Sequence, residues 1–354
     1  MKLTEAFLSA ELIRALGWTI LHSLWQGALV ALALSGLLLF LNRYSAQVRY
    51  FVSVTALFTL LALSGFTFFS LYNPLPPVSM AVTEQTAGTF SAPDLSVLAP
   101  ESPAGWSAAL PFTHFFSEYF EKHLPLLVTF WFLGLLVMAL KMLGGLVYVQ
   151  RLRHYQTRPL PQKWQQKLAE LGAELNLQKP VLLLESLKVN VPMALGYLKP
   201  VILVPVGALN GLSEKQVEAI LAHELAHICR HDYLFNLLQS FIETIFFFHP
   251  AVWWMNACIR AERENCCDDI AMNLCGDPVV FAGALAELEE RNFAAGPAMA
   301  VALTGRKGSL LSRIKRLADR PKRRAGFSEG FMAACIVMIS LSAISLSAMA
   351  QLRP

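Results

Sequence analysis

The chain has 354 residues, of which 55% are hydrophobic and 15% charged, with a mean hydropathy of +0.48 and a formal net charge of +4. A soluble globular domain carries charge on roughly a quarter of its residues, so the composition excludes an ordinary soluble protein and points to an integral membrane one. No basic stretch is interleaved with aromatic residues, which excludes a nucleic-acid platform.

Residues 1–11 do not read as a signal peptide, because the apolar run after them is too long and lacks a cleavage site. That run, residues 16–41, is long enough to cross a bilayer. It holds Trp18, His22, Ser23, Trp25 and Gln26. Polar groups inside a span face a bundle interior, either as interhelical hydrogen bonds or as functional groups. A link with Arg43 and Arg49 leads to a second span, residues 50–71. The stretch 72–123 is rich in Pro, Ser, Ala and Thr and acidic in balance, and it reads as a mostly irregular loop with an amphipathic piece at 112–120. A third span follows at 124–147, and Lys141 in it snorkels to the near interface.

The character then changes. Residues 149–328 hold 22 of the 29 Lys and Arg. Residues 181–185 and 201–205 read as short strands joined by a turn-rich connection. Ser213 and Gln216 form a capping box that opens a helix running to Arg230. An apolar helix over 233–248 ends at His249-Pro250, and another begins near Ala251. Glu243, Asn236 and the Pro250 break argue against a span here, so the pair is expected as a buried hairpin at the membrane surface. A last apolar run, 331–350, follows the basic residues Arg313, Lys315, Arg316, Arg320, Lys322, Arg323 and Arg324. Lys and Arg mark the cytoplasmic side, which places the N-terminus outside, the large segment inside and four spans in all.

The resulting expectation is a mainly α membrane protein. It is divided into spans one and two (1–72), an extracytoplasmic loop (73–123), span three (124–148), a cytoplasmic domain of helices plus a small sheet (149–328), and span four with a short tail (329–354). The six cysteines, Cys229, Cys258, Cys266, Cys267, Cys275 and Cys335, lie outside the loop and read as reduced thiols.

The chemistry centres on Ala222-His223-Glu224-Leu225-Ala226-His227, an H-E-x-x-H sequence on the predicted helix. Residues four apart share a helix face, so His223 and His227 can aim at one ion while Glu224 reaches a water on it, the spacing of zinc-dependent hydrolysis. A catalytic site needs a third protein ligand. His231 is in sequence reach, but on a straight helix it lies about 12 Å from His223 at 1.5 Å per residue. It reads instead as a helix C-terminal residue, favoured by the dipole, and as an outer support of the site. Glu264 and Asp268 share a face of a later helix. They are either an acidic surface paired with Arg260 and Arg263, or a ligand and the carboxylate that fixes a ligand histidine's tautomer. Beside H-E-x-x-H the second reading is preferred. Cys266 and Cys267 read as buried structural thiols.

His223-Glu224-Leu225-Ala226-His227 with Glu264 and Asp268 resembles the BlaR/MecR-type family of membrane metallopeptidases. The resemblance extends to Gly17-Trp18, to His22-Ser23-Leu24-Trp25-Gln26, to Lys199-Pro200-Val201-Ile202-Leu203-Val204-Pro205, to His231-Asp232-Tyr233 and to His249-Pro250-Ala251-Val252-Trp253-Trp254. It implies a gluzincin-like zinc endopeptidase in the bacterial inner membrane, with Zn2+ held by His223, His227 and Glu264, and Glu224 as the base. It also implies signalling by cleavage of a cytoplasmic repressor or of the chain itself, for which residues 305–324 are the self-cleavage candidate. The expected partners are that protein substrate, the lipid bilayer and a second copy in a homodimer, with no direct nucleic-acid contact. Sensors of the family continue into a penicillin-binding domain, whereas this sequence stops four residues after Ala350, so β-lactam sensing is not carried over. If Val201, Ile202, Leu203 and Val204 lie at a sheet edge, they bind an extended substrate; otherwise they form a core strand. Two other functions fit the same motifs: a quality-control or prenyl-protein processing protease, and a non-catalytic signalling subunit with a structural metal.

Overall fold

A computed structural model describes residues 9–72, 110–295 and 313–317. The expected fourth span and most of the acidic loop lie outside the described residues. Among the described residues, twelve elements take labels here. The first three helices are α1 (Ala10–Phe40), α2 (Ala46–Tyr72) and α3 (Leu110–His154), with a 3-10 turn, Leu41–Arg43, after α1. Then come β1 (Thr157–Pro159), α4 (Gln162–Glu174), β2 (Leu182–Ser186), β3 (Met193–Leu195) and β4 (Val201–Pro205). The chain continues through α5 (Glu214–Cys229), α6 (Asp232–Ile245), α7 (Pro250–Cys275) and α8 (Pro278–Ala295).

Among the described residues, three stretches, Ala10–Arg43, Ala46–Tyr72 and Tyr119–His154, are long and apolar enough to cross a membrane. The third helix begins at Leu110, well ahead of the apolar run that marked it, and takes in the piece expected as amphipathic. Pro125 lies inside it. Many of its apolar side chains, Phe130, Leu136, Leu140 and Val147 among them, are more than half exposed, as suits a helix whose surroundings are lipid.

The chain divides into two compact units, one of residues 1–24 and 62–133, the other of 25–61 and 134–354. In the first, Ile13, Leu124 and Val128 form a core with Trp18 and Leu127 packed against it. Gly17 is the contact point: a Cβ there would stand 2.6 Å from Leu124 Cδ2.

The second unit is built around α5. Nine of its residues, from Val217 to Ala226, are buried, as a helix apolar on all sides requires. The expected capping box forms: Gln216 N–H donates to Ser213 Oγ at 3.3 Å, and Ser213 N–H to Gln216 Oε1 at 2.8 Å. At the other end His231 takes a left-handed conformation, φ 58°, and turns the chain sharply into α6.

Under α5 lies a four-stranded sheet of order β1-β2-β4-β3, with β2 and β4 parallel and the outer pairs antiparallel. Ile202 and Val204 join Leu183, Leu221 and Leu225 in one core, while Val201 and Leu203 face Leu152 and Val189 on the other side. This is the alternation of a strand buried on both faces. It corrects one expectation. Val201, Ile202, Leu203 and Val204 are not a free edge, because β2 and β3 occupy both sides of β4, so no backbone groups remain there for a substrate strand. The edge strands are β1 and β3.

Helices α6 and α7 form the expected hairpin. Pro250 starts α7, and His249 Nδ1 accepts from Ala251 N–H at 3.2 Å. The hairpin's tip packs on two glycines: a Cβ on Gly134 would collide with the Phe247 ring, and one on Gly27 with the His249 ring. Gly144, also in α3, meets nothing within 4 Å. Gly134→Leu should therefore destabilise the fold by about 1–3 kcal/mol, the usual cost of overpacking. It would register as a lower thermal midpoint in detergent. Gly144→Leu should leave that midpoint unchanged or raise it, through better helix propensity.

Candidate metal centre

One turn of α5 sets the site. His223 and His227 stand on one face with ring centroids 4.9 Å apart and planes at 86°. Glu264 comes from α7, which packs along α5: its Oε2 lies 3.5 Å from His223 Nε2 and its Oε1 3.9 Å from His227 Nε2. Ligand atoms of all three residues fall within 4.8 Å of one another. A tetrahedral ion bound at about 2.0–2.1 Å spaces its donors about 3.3 Å apart, closer than these atoms stand, so the three side chains would draw in around one ion. Glu224 is buried on the same turn, and with His223 and His227 it lines a cavity of about 910 Å³. Met193, Ala194 and Leu195, an edge strand, line the same cavity.

The imidazoles are held from behind. His223 Nδ1 lies 3.1 Å from Asp268 Oδ1, off the line of the ring N–H, so the contact is electrostatic rather than an aligned hydrogen bond. Asp268 is wholly buried and is clamped by Arg313, whose Nε and Nη2 donate to its two oxygens at 2.8 and 2.6 Å. Arg313 Nη1 also stands 3.5 Å from Glu264 Oε2. On the other histidine, Nδ1 is 2.8 Å from Asp232 Oδ2, the carboxylate–histidine arrangement that fixes a ligand's tautomer and ring orientation. Cys267 completes that corner, its Sγ donating to Asp232 Oδ2 at 3.4 Å.

His231 does not join the ligands. It faces the cavity and stacks edge-on against Tyr197 at 5.4 Å. The left-handed turn directs His231 away and brings the next residue, Asp232, to His227, so the support assigned to His231 falls to Asp232. The Arg260 and Arg263 expected beside the acidic face are engaged elsewhere: Arg260 with Glu243 at 2.7 Å, and Arg263 with Asn236 at 3.4 Å. The His-Asp dipeptide at 231–232 was a readable signal for Asp232. For Arg313 there was none, since it lies 45 residues from Asp268 in sequence.

Charge is balanced within the cluster. Burial disfavours charge on His223, but Asp268 and Glu264 outweigh it and raise its pKa to about 10. Burial works against ionised Glu264 as well, yet His223, His227 and Arg313 hold it well below the usual carboxylate range. Asp268 is likewise lowered, its burial offset by His223 and Arg313. Cys267 is pushed well above the usual thiol range, by burial first and then by Asp232. It therefore stays a neutral S–H donor rather than a thiolate ligand. Burial also raises Cys266, to about 12.

A helical membrane protein with two helix-borne histidines, a carboxylate from a second helix and a buried glutamate beside a cavity has the parts of a metal-dependent peptidase. The chain belongs to the BlaR1 peptidase M56 family, whose sequence profile matches residues 18–317. The methicillin resistance mecR1 protein of Staphylococcus aureus (strain Mu50) is 31% identical over 91 residues, 26% of this chain and 16% of that protein. The regulatory protein BlaR1 of Bacillus licheniformis is 28% identical over 95 residues, 27% and 16% of the two chains. The matched stretch is thus about a sixth of the length of these relatives.

Two outcomes follow from the geometry. Because His223 is protonated in the metal-free cluster below its raised pKa, an ion must displace a proton from it. Apparent affinity for zinc used as a probe should therefore rise with pH, ~tenfold per unit through the neutral range, measured by competition with a chromophoric chelator. Asp232→Ala should weaken that affinity ~10–100-fold. His231→Asn, which keeps the left-handed conformation accessible, should leave it unchanged.

Proposed function

We propose that the chain is an integral-membrane zinc endopeptidase that cuts a regulatory protein, or itself, in transmembrane signalling. The observation that carries this reading is the meeting of His223, His227 and Glu264 donor atoms beside Glu224 in a cavity whose wall is an open strand edge. Two histidines and a carboxylate with one position left open are a hydrolytic zinc set. When bound, zinc would polarise the scissile carbonyl and acidify a water.

The remaining roles fall to the protein's own residues. Glu224, buried on the ligand turn, takes the water's proton and delivers it to the leaving amine. Asp232 and Asp268 keep the imidazoles in place. β3 pairs with β4 along one side only, so an extended substrate adds along its other side and is presented to Glu224. This moves the substrate-binding role from Val201–Pro205 to Met193–Leu195. Arg313 lies within residues 305–324, the self-cleavage candidate, and its contacts with Asp268 and Glu264 bring the described part of it, residues 313–317, beside the site.

That the BlaR1 relative is a regulatory protein supports a role in regulation, for which the substrate we propose is repressor-like. Four long apolar runs in the sequence support four spans, and the Lys and Arg distribution supports a cytoplasmic peptidase domain; the bacterial inner membrane and a homodimer belong to the same proposal.

Glu224→Gln should keep about one zinc per chain, since Glu224 is not a ligand, and lose cleavage by ~10²-fold or more. Comparing new N-termini by mass spectrometry in cells carrying wild type or the variant reads this directly. An identical set of cuts in both would reject the peptidase reading and leave a structural metal in a signalling subunit.

A further inference from the structure

The α6–α7 hairpin has a surface and a position that the metal site does not explain. On α6, Leu234, Leu237, Leu238 and Phe241 are spaced as one helical stripe and are 36–51% exposed. On α7, Trp253 and Trp254 are exposed as well. Between residues 233 and 261 the only Asp, Glu, Lys or Arg side chains are Glu243 and Arg260, and these bond to each other at 2.7 Å. Ionisable groups in a bilayer pair in this way.

The hairpin's position is set by its contacts with apolar helices long enough to span. Glu262 on α7 takes a two-pronged bond from Arg49 at the start of α2, at 2.8 and 2.9 Å. At the far end of the arm, the His249 ring meets Gly27 of α1, where Leu60 of α2 also packs. From Arg49 to Leu60 is about 16 Å at 1.5 Å per residue, roughly half of a 30 Å hydrocarbon core. Phe247 packs on Gly134 of α3, and Thr244 reaches Met142 Sδ at 3.7 Å. Tyr50 of α2 stands edge-on to Phe235 of α6 at 6.2 Å.

A turn at that depth must satisfy its own backbone. Here His249 N–H donates to Phe246 O at 2.9 Å, Pro250 has no N–H, and Ala251 N–H is taken by His249 Nδ1. The opposite side of the hairpin carries Asn236 and Arg263, which line the metal-site cavity.

We propose that α6–α7 is a re-entrant membrane hairpin, its Leu234–Leu238–Phe241 and Trp253–Trp254 face lying against phospholipid acyl chains. The face is continuous with the apolar helices beside it, and its two charges are neutralised internally. The hairpin thus enters the bilayer to about mid-depth and returns, instead of lying on the surface. Acyl chains are the occupant that this depth and this continuity select.

The test uses the full chain in nanodiscs of bacterial phospholipid, with the photocrosslinker p-benzoylphenylalanine placed at Phe241 or Trp253, and at Gln166 on α4 as a control. Irradiation followed by mass spectrometry should give a phospholipid-mass adduct at positions 241 and 253 and none at 166. Adducts joining two copies of the chain would overturn the proposal and make this face a dimer contact. Phe241→Cys and Trp253→Cys provide a second readout, with the native thiols subtracted. Both should react with a water-soluble maleimide at least tenfold faster after detergent solubilisation than in open membrane fragments. Reaction in the fragments as fast as at Gln166→Cys would overturn the proposal, whatever the peptidase activity proves to be.

Discussion

The structure depends on keeping two imidazoles and several carboxylates charged or poised for charge inside a protein. Burying an ion without a partner is among the costliest acts in folding, and a cluster is tolerated only when each member is paired. Here the supporting groups stand in opposed pairs: His223 between Asp268 and Glu264, Asp268 under the fork of Arg313, His227 beside Asp232. The same contacts fix the ring planes. A site built this way is preorganised, because rotating either histidine would cost it the carboxylate that orients it.

That requirement explains why distant segments converge on α5. Ligand histidines four residues apart come at no topological cost, but the third donor and the supporting groups must come from α7, from the α5–α6 turn and from residues 313–317. The last of these is held by more than Arg313. Arg316 pairs with Asp269 at 2.7 Å, and Leu317 joins Ala219, Ala222 and Phe281 in a small core. A stretch well downstream in sequence is in this way packed against both the ligand helix and the carboxylate helix.

The apolar helices connect to the same cluster through two consecutive residues. Arg49 binds Glu262, two positions before Glu264 on α7. Tyr50 lies under the Arg230 guanidinium at 4.7 Å, and Arg230 Nε stands 3.4 Å from Asp232, the support of His227. One turn at the start of α2 therefore touches both halves of the site, by a half-buried ion pair on one side and a cation–π contact on the other. These contacts form a short chain from an apolar helix to the candidate metal site.

The sequence by itself determined what is local. Periodicity and length marked the spans, Ser213 and Gln216 marked the start of α5, Pro250 marked the hairpin break, and the i,i+4 rule placed His223 and His227 on one face. The Glu264–Asp268 pair was legible for the same reason, since helical spacing is a property of neighbours. Which helix face meets which, and which strand keeps a free edge, are long-range facts, and only the tertiary structure decided them. It buried Val201–Pro205 between two strands and left Met193–Leu195 open, it turned His231 away with a left-handed residue and so delivered Asp232, and it brought Arg313 to Asp268. Strand neighbours and charge partners are chosen by the packing of the whole chain, where desolvation and pairing are balanced together, and no short stretch of sequence carries that balance.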